Sequence, residues 1–207
     1  MTKNFKTEQE NFWAGEFGDA YVDRNKSAQL LAANITFFAG IFKRTYNVTS
    51  VIEFGANIGM NMHALNRILV DAKLSAVEIN ANACEQLNQI DNVTAHNCSI
   101  LEFCPREKYD FVFTKGVLIH INPNELDEIY QKIYHTSSQY ICVAEYYNPS
   151  PVAIPYRGHE DRLFKRDFAG EMLDKYPDLK LIDYGFAYHR DNNFAQDDLT
   201  WFLMEKI

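Results

Sequence analysis

The stretch from Ser50 to Gly59, SVIEFGANIG, constrains the fold more than any other part of the chain. An apolar run ends at Gly55, a second glycine follows at Gly59, and an amphipathic period from Met60 to Leu69 begins at once. Such a run closed by glycines and continued as a helix is a strand-to-helix turn, the place where an open α/β sheet binds a nucleotide. The alternation goes on. Lys73 to Glu78 reads as a strand, Asn82 to Gln89 as a helix, Val93 to His96 and Tyr109 to Thr114 as strands, Glu125 to Tyr134 as a helix and Gln139 to Glu145 as a strand. Strands and helices at this spacing predict parallel β-α-β units in a doubly wound sheet with helices on both faces. Ahead of this core, Thr7 to Tyr46 is helical in period, with Phe12, Trp13, Phe17, Ala20 and Tyr21 followed by the apolar stretch Leu30 to Phe42. Behind it, Asn148-Pro-Ser-Pro, Pro155 and Gly158 argue against a long regular element; Asp167 to Lys175 then reads as a helix, and Lys180 to Tyr188 and Leu199 to Glu205 as strands. The 207 residues fit one domain at about 150 residues per domain. It divides into a helical preamble at 1–46, a nucleotide-binding core at 50–145 and a loop with the final strands at 146–207.

The glycine spacing selects the nucleotide. A dinucleotide fingerprint G-x-G-x-x-G starting at Gly55 needs glycines at 57 and 60, where the chain has Asn57 and Met60. Glu53 instead lies two residues before Gly55, and Gly59 four after it. This loop resembles the E/D-x-G-x-G-x-G loop of class I S-adenosylmethionine (SAM)-dependent methyltransferases, with Asn57 in place of the middle glycine. Asn enters left-handed backbone more readily than other residues with a side chain, so the replacement is tolerable. The resemblance implies a Rossmann-like, doubly wound, mostly parallel seven-stranded sheet, with SAM as cofactor and S-adenosylhomocysteine (SAH) as product. It assigns Glu53 to the cofactor ammonium, and Glu78, with Ile79 beside it, to the ribose hydroxyls. It assigns Ser99 and Ile100, in Asn97-Cys-Ser-Ile, to the adenine. Asp110-Phe-Val-Phe-Thr-Lys-Gly-Val-Leu-Ile-His resembles the fourth-strand motif of small-molecule methyltransferases and brings Lys115 to the cofactor and His120 to the reacting end. Gly18 to Asn25 resembles a segment that folds over the cofactor as a lid, with Tyr21 stacking and Arg24 pairing with the cofactor carboxylate. Two other readings stay open: an NAD-dependent oxidoreductase with a degenerate loop, and a SAM-binding partner without turnover.

With 20 Lys and Arg against 28 Asp and Glu, the net charge is −8, which disfavours long nucleic acids and anionic membrane surfaces. Locally the sign inverts, since Arg157, Arg162, Lys165 and Arg166 crowd into ten positions beside His159. Guanidinium groups there suit a carboxylate or phosphate on a small acceptor. Thr114-Lys-Gly-Val-Leu-Ile-His-Ile-Asn-Pro, Ala144-Glu-Tyr-Tyr-Asn-Pro, Pro155-Tyr-Arg-Gly-His, the run from Arg162 to Glu171 and Gln196-Asp-Asp-Leu-Thr-Trp resemble the pseudaminic acid biosynthesis-associated methylases. That resemblance implies a sugar or nucleotide-sugar acceptor of the nonulosonic kind, methylated on oxygen or nitrogen. His120 and His159 are the candidate bases, because an imidazole titrates near neutral pH; Glu145 would orient one of them or bind an acceptor amine. Tyr146, Tyr147 and Tyr156 would wall a sugar ring, and Arg157, Arg162 and Arg166 would hold its anion. His189, Asp197 and Asp198 stay unassigned. Cys84, Cys98, Cys104 and Cys142 form no C-x-x-C pair and read as reduced core thiols; no spacing suggests a metal. The polar start of the chain and the lack of a long apolar run suggest a cytoplasmic protein, monomeric or homodimeric.

Overall fold

A computed structural model describes residues 5–22 and 26–207. Seven strands form one sheet: β1 (Ser50–Phe54), β2 (Lys73–Glu78), β3 (Val93–Asn97), β4 (Tyr109–Lys115), β5 (Ser137–Glu145), β8 (Leu179–Ala187) and β9 (Leu199–Lys206). Their spatial order is β3-β2-β1-β4-β5-β9-β8, with β9 antiparallel to both neighbours and the other pairings parallel. The chain steps outward from β1 to β3 and then returns to place β4 on the other side of β1. The crevice at that reversal, beyond the carboxyl ends of β1 and β4, is where such sheets bind ligands.

Helices cover both faces because β1, β2, β4 and β5 are apolar on both sides, as in a buried parallel sheet. On one face α3 (Ala28–Phe42) and α4 (Met60–Ile68) bury Phe38, Ile41, Met62 and Leu65 against Val51, Leu74, Phe111, Phe113 and Leu203. On the other, α6 (Leu126–Thr136) and α7 (Phe168–Lys175) bury Ile129, Ile133, Phe168 and Met172 against Phe54, Val112, Ile141 and Met204. The preamble forms α1 (Glu8–Ala14), α2 (Glu16–Val22) and α3, and α5 (Ala81–Leu87) follows β2. A reciprocal capping box starts α1: Thr7 accepts from the Glu10 amide, and Glu10 accepts from the Thr7 amide at 2.8 Å.

Three expectations need correction. The proline-bearing segment after Tyr147 is a two-stranded hairpin, β6 (Val152–Tyr156) with β7 (His159–Lys165). Arg157 and Gly158 both take left-handed backbone, at φ 50° and 84°, as a two-residue hairpin turn of primed type demands. Pro155 is accommodated because the ladder is irregular between Ile154 and Tyr156 and β6 has no second partner. The fourth-strand motif suggests His120 at the end of that strand, but β4 stops at Lys115 and Leu118–His120 is a short 3₁₀ turn. Of the cysteines, all free, Cys84 and Cys142 are buried but Cys104 is exposed, so it is no core thiol.

Asp110, part of the fourth-strand motif, lies at the far end of β4 and ties the sheet together. Its carboxylate accepts from the Thr49 hydroxyl at 2.7 Å and from the amides of Thr49 and Ser50. Burial alone would raise its pKa, but these bonds and that from Ser138 outweigh it and hold the group below the usual carboxylate range. Among the described residues no helix is long and apolar enough to cross a membrane.

Candidate active site

A cavity of about 380 Å³ opens at the carboxyl ends of β1, β2 and β4. Its floor is the loop after β1. Gly55, Asn57 and Gly59 all have positive φ, at 77°, 49° and 81°, so the loop folds back on itself, with the Gly55 amide donating to the Val77 carbonyl of β2 and the Gly59 amide to the Ala56 carbonyl. Gly55 is required twice over: a Cβ there would also lie 2.6 and 2.8 Å from the Val117 methyls. Gly55→Ala is expected to destabilise the protein by about 1–3 kcal/mol from backbone strain and overlap. Gly55→Ala with Val117→Ala should recover only the overlap part, which paired thermal melts would read. Gly59 caps α4 from outside the cavity lining, packed on Ile90 and Leu87.

Two buried carboxylates face this floor. Glu78, at the end of β2, accepts the Asn57 amide and the Asn80 amide, each at 2.7 Å. Burial raises its pKa against these bonds and that of the Ile79 amide. Glu53 accepts from the Asn61 side chain at 2.5 Å on one oxygen, while its other oxygen is buried and has no hydrogen-bond partner. Burial pushes Glu53 up to about 8, against the Asn61 bond and the charge of Lys115. An orphaned carboxylate oxygen in a cavity wall is a site for a cation or a strong donor.

Lys115, at the end of β4, also lines the cavity. Its ammonium lies 3.3 Å from the Asn34 side-chain oxygen and 5.5 Å from the Phe37 ring centre. Burial lowers its pKa, opposed by Glu53, Asp197 and Glu145. Ile79, Ser99, Ile100 and Tyr21 line the cavity as well. Ser99 donates to the Glu10 carboxylate of α1, and Asp19 of α2 accepts from Asn80 and Asn82 at 2.8 and 2.7 Å. The preamble helices are thus fastened to the loops after β2 and β3. Arg24 lies outside the described residues.

The far end of the cavity is built from the 3₁₀ turn after β4, the hairpin and α1. His120 lies between Trp13 and Tyr156, at ring-centre distances of 4.7 and 5.0 Å. Its Nδ1 is 2.6 Å from the carbonyl oxygen of Arg162, which can only accept. The proton therefore sits on Nδ1 and Nε2 keeps its lone pair. Burial lowers the His120 pKa to about 4, against the pull of that carbonyl. Tyr146, Tyr156 and Arg157 complete this wall, with Arg157 exposed at its mouth. The Trp13 indole N–H is buried without a partner.

Several candidates are held elsewhere. The Glu145 carboxylate accepts from the amides of Val117, at 2.9 Å, Leu118 and Ile119. It braces the turn carrying His120 and is not hydrogen-bonded to either histidine. Burial raises it to about 7 despite those amides and Thr114. The His159 ring packs edge-on against Phe12 at 4.9 Å, outside the cavity lining. Arg162 pairs with Glu8 at 3.1 Å and Arg166 with Glu171 at 2.6 Å, and Tyr147 lies by Phe202 at 6.0 Å; none of the three lines the cavity. Asp197, unassigned in the sequence, does, while His189 and Asp198 pair with one another at 2.8 Å. Trp13, Asn34 and Asn61 are further cavity residues. In the sequence Trp13 counts only as one of the helical-period aromatics and Asn34 as one of two polar residues, with Thr36, inside the apolar stretch Leu30 to Phe42. Among the described residues no three His, Cys, Asp or Glu side chains are grouped to hold a metal.

No family model matches the chain, and no curated protein matches it. Solved structures do match its fold. Magnesium protoporphyrin IX methyltransferase from Synechocystis PCC 6803, with bound SAM, superposes with a TM-score of 0.65 at 11% identity, over 99% of this chain and 100% of that one. Burkholderia thailandensis 1,6-didemethyltoxoflavin-N1-methyltransferase, with SAH, gives 0.66 at 13% identity, over 96% and 86%. The plantazolicin methyltransferase in complex with SAH gives 0.65 at 13%, over 96% and 93%. The fold is therefore the Rossmann-like fold that these methyltransferases share.

Proposed function

We propose that this protein is a SAM-dependent methyltransferase. The observation that carries the reading is the Glu53 oxygen left buried and unpartnered beside the left-handed Gly55–Asn57 loop, with Glu78 on the same cavity. A pyrophosphate would meet two carboxylates here; an ammonium and a ribose suit them. Glu53 would hold the cofactor ammonium, Glu78 the ribose hydroxyls, Lys115 with Asn34 the carboxylate, and Ser99, Ile79 and Ile100 the adenosine. The solved neighbours bound to SAM or SAH support this choice.

When bound, SAM supplies an electrophilic methyl group. The chain's own contribution is placement of the acceptor and management of one proton. His120 Nε2 accepts the proton of an acceptor hydroxyl or amine, and the Arg162 carbonyl keeps the imidazole in the tautomer that can do so. Tyr146, Tyr156 and Trp13 wall a ring, and Arg157 meets an anionic group at the mouth. Together with the resemblance of the later motifs to the pseudaminic acid-associated methylases, this favours a small anionic sugar or nucleotide-sugar acceptor. Tyr147, Arg162 and Arg166 would reach such an acceptor only after leaving their present partners.

Thermal melts with SAH and with NAD test the cofactor. SAH at a hundredfold excess over its dissociation constant should add about 2.7 kcal/mol of stability, with no gain from NAD; the reverse result would favour the oxidoreductase reading. Methyl-transfer assays on nucleotide-activated nonulosonic sugars and their amino-sugar precursors then separate an enzyme from a SAM-binding partner.

A further inference from the structure

The β8 edge of the sheet carries surface that the cavity does not use. Of the eleven large apolar side chains exposed among the described residues, six fall between Leu181 and Phe194. Tyr184 is 66% and Phe186 59% exposed, on the sheet face shared with α6 and α7. The Tyr184 ring stacks beside Phe202 at 6.3 Å, Phe186 lies 5.9 Å from Tyr188, and Leu181 and Ile182 extend the strip toward the start of the strand. The opposite face is closed by Trp201, whose indole a Cβ on Gly185 would meet at 2.7 Å. On the open face α7 shields the sheet as far as Leu179, which is 2% exposed.

The size of the strip is informative. At about 150–250 Å² per large side chain, the exposed fractions of Leu181, Ile182, Tyr184, Phe186 and Tyr188 leave roughly 500 Å² of mostly apolar surface. That equals the largest patch, about 300–600 Å², found on ordinary monomers. A standard dimer buries roughly 800 Å² per partner, so the strip is large enough to be the apolar centre of such a contact, with the polar residues around it as the rim. Charge does not oppose self-contact, despite the net −8 of the chain. The charged residues within β8 are Lys180 and Asp183, and Asp183 is already paired with Arg44 at 2.9 Å. The strand is also the last in the sheet, nine residues long and free of proline, an edge that monomers normally blunt.

We propose that this strip is the contact between two copies of the chain, related by a twofold axis passing near Tyr184. Under that symmetry the residues on one side of Tyr184 meet those on the other. Leu181 and Ile182 of one copy then pack on Phe186 and Tyr188 of the second, and Tyr184 meets its own counterpart.

Sedimentation equilibrium on the full chain over a wide concentration range tests this. The expected result is a reversible dimer, weakened roughly a hundredfold or more by Tyr184→Lys or Phe186→Glu, because each leaves a charge in an apolar contact. Both side chains are exposed, so SAH affinity of the variants should stay unchanged, and their thermal melts should match wild type at concentrations where wild type is monomeric and fall below it where wild type is dimeric. Mild oxidation of Tyr184→Cys in a Cys104→Ser background should give a disulfide-linked dimer. A wild-type chain that stays monomeric at all concentrations overturns the proposal, as does a dimer indifferent to both charged variants. Neither outcome bears on the methyltransferase reading, which the cofactor melts decide.

Discussion

His120→Asn is expected to lower the methyl-transfer rate by about 10²–10⁴-fold with little change in SAH affinity, the span typical for removing a positioned general base. Its surroundings fix the imidazole in the neutral form with Nε2 open, at the cost of basicity. The Arg162 carbonyl fixes the proton on Nδ1, and burial holds the group neutral down to a pKa of about 4. The pH dependence follows from this value. A base must be unprotonated to act, so the rate should stay flat through pH 6.5, where a free histidine would titrate, and fall only as the pH drops toward 4. Single-turnover kinetics at saturating acceptor measure both effects. A rate limb near pH 6.5 that persists in His120→Asn would remove His120 from the reaction. Stability should follow the same sign: because the folded pKa lies below the unfolded one, this group costs stability progressively as pH falls from about 6.5 toward 4.

Glu78→Ala should weaken SAH binding by about 1–3 kcal/mol, or roughly 5- to 150-fold by calorimetric titration. Both oxygens of this carboxylate already hold loop amides, at Asn57 and Asn80. Truncation therefore strips the ribose of its acceptor and also leaves two N–H groups unsatisfied. Glu78→Gln is the informative companion, since it keeps a carbonyl for one amide but sets an NH₂ group against the other donors. It should lose most of the affinity while retaining more of the thermal stability than Ala does. Equal affinity in wild type and both variants would exclude Glu78 from the cofactor site.

The parallel core was legible because its signals are local. Apolar runs, glycines and amphipathic periods fix β1 to β5 and the helices between them to within a residue or two, and Asn57 takes the left-handed backbone its place in the loop requires. The β6–β7 hairpin was not legible, because Pro155 usually breaks strands and the Arg157-Gly158 turn signal is weaker than Asn-Gly. The fate of the basic cluster was hidden for another reason. Sequence gives the number of guanidinium groups in a segment but not their direction, and only Arg157 lines the cavity, while Arg162 and Arg166 meet Glu8 and Glu171. Glu145 carries the same lesson. Its position at the end of β5 suggests chemistry, yet three converging amides of the turn after β4 occupy its oxygens. Gln9, Trp13 and Asp197 reach the cavity only through long-range packing that no local pattern encodes.

The fastening of α1 and α2 has a kinetic corollary. Glu10 and Asp19 bind these helices to the loops that flank the nucleoside end of the cavity, while Trp13 and Gln9 of α1 form part of its opposite end. One segment of chain, α1 and α2, thus contributes to both ends of the cavity. If the protein acts on SAM as proposed, any displacement of this segment that frees the cofactor end also disturbs the Trp13 side of the other end, which would couple the passage of the two ligands. With release limited by the Glu10–Ser99 and Asp19–Asn80 bonds, the expected signature is burst kinetics with a slow SAH-release phase.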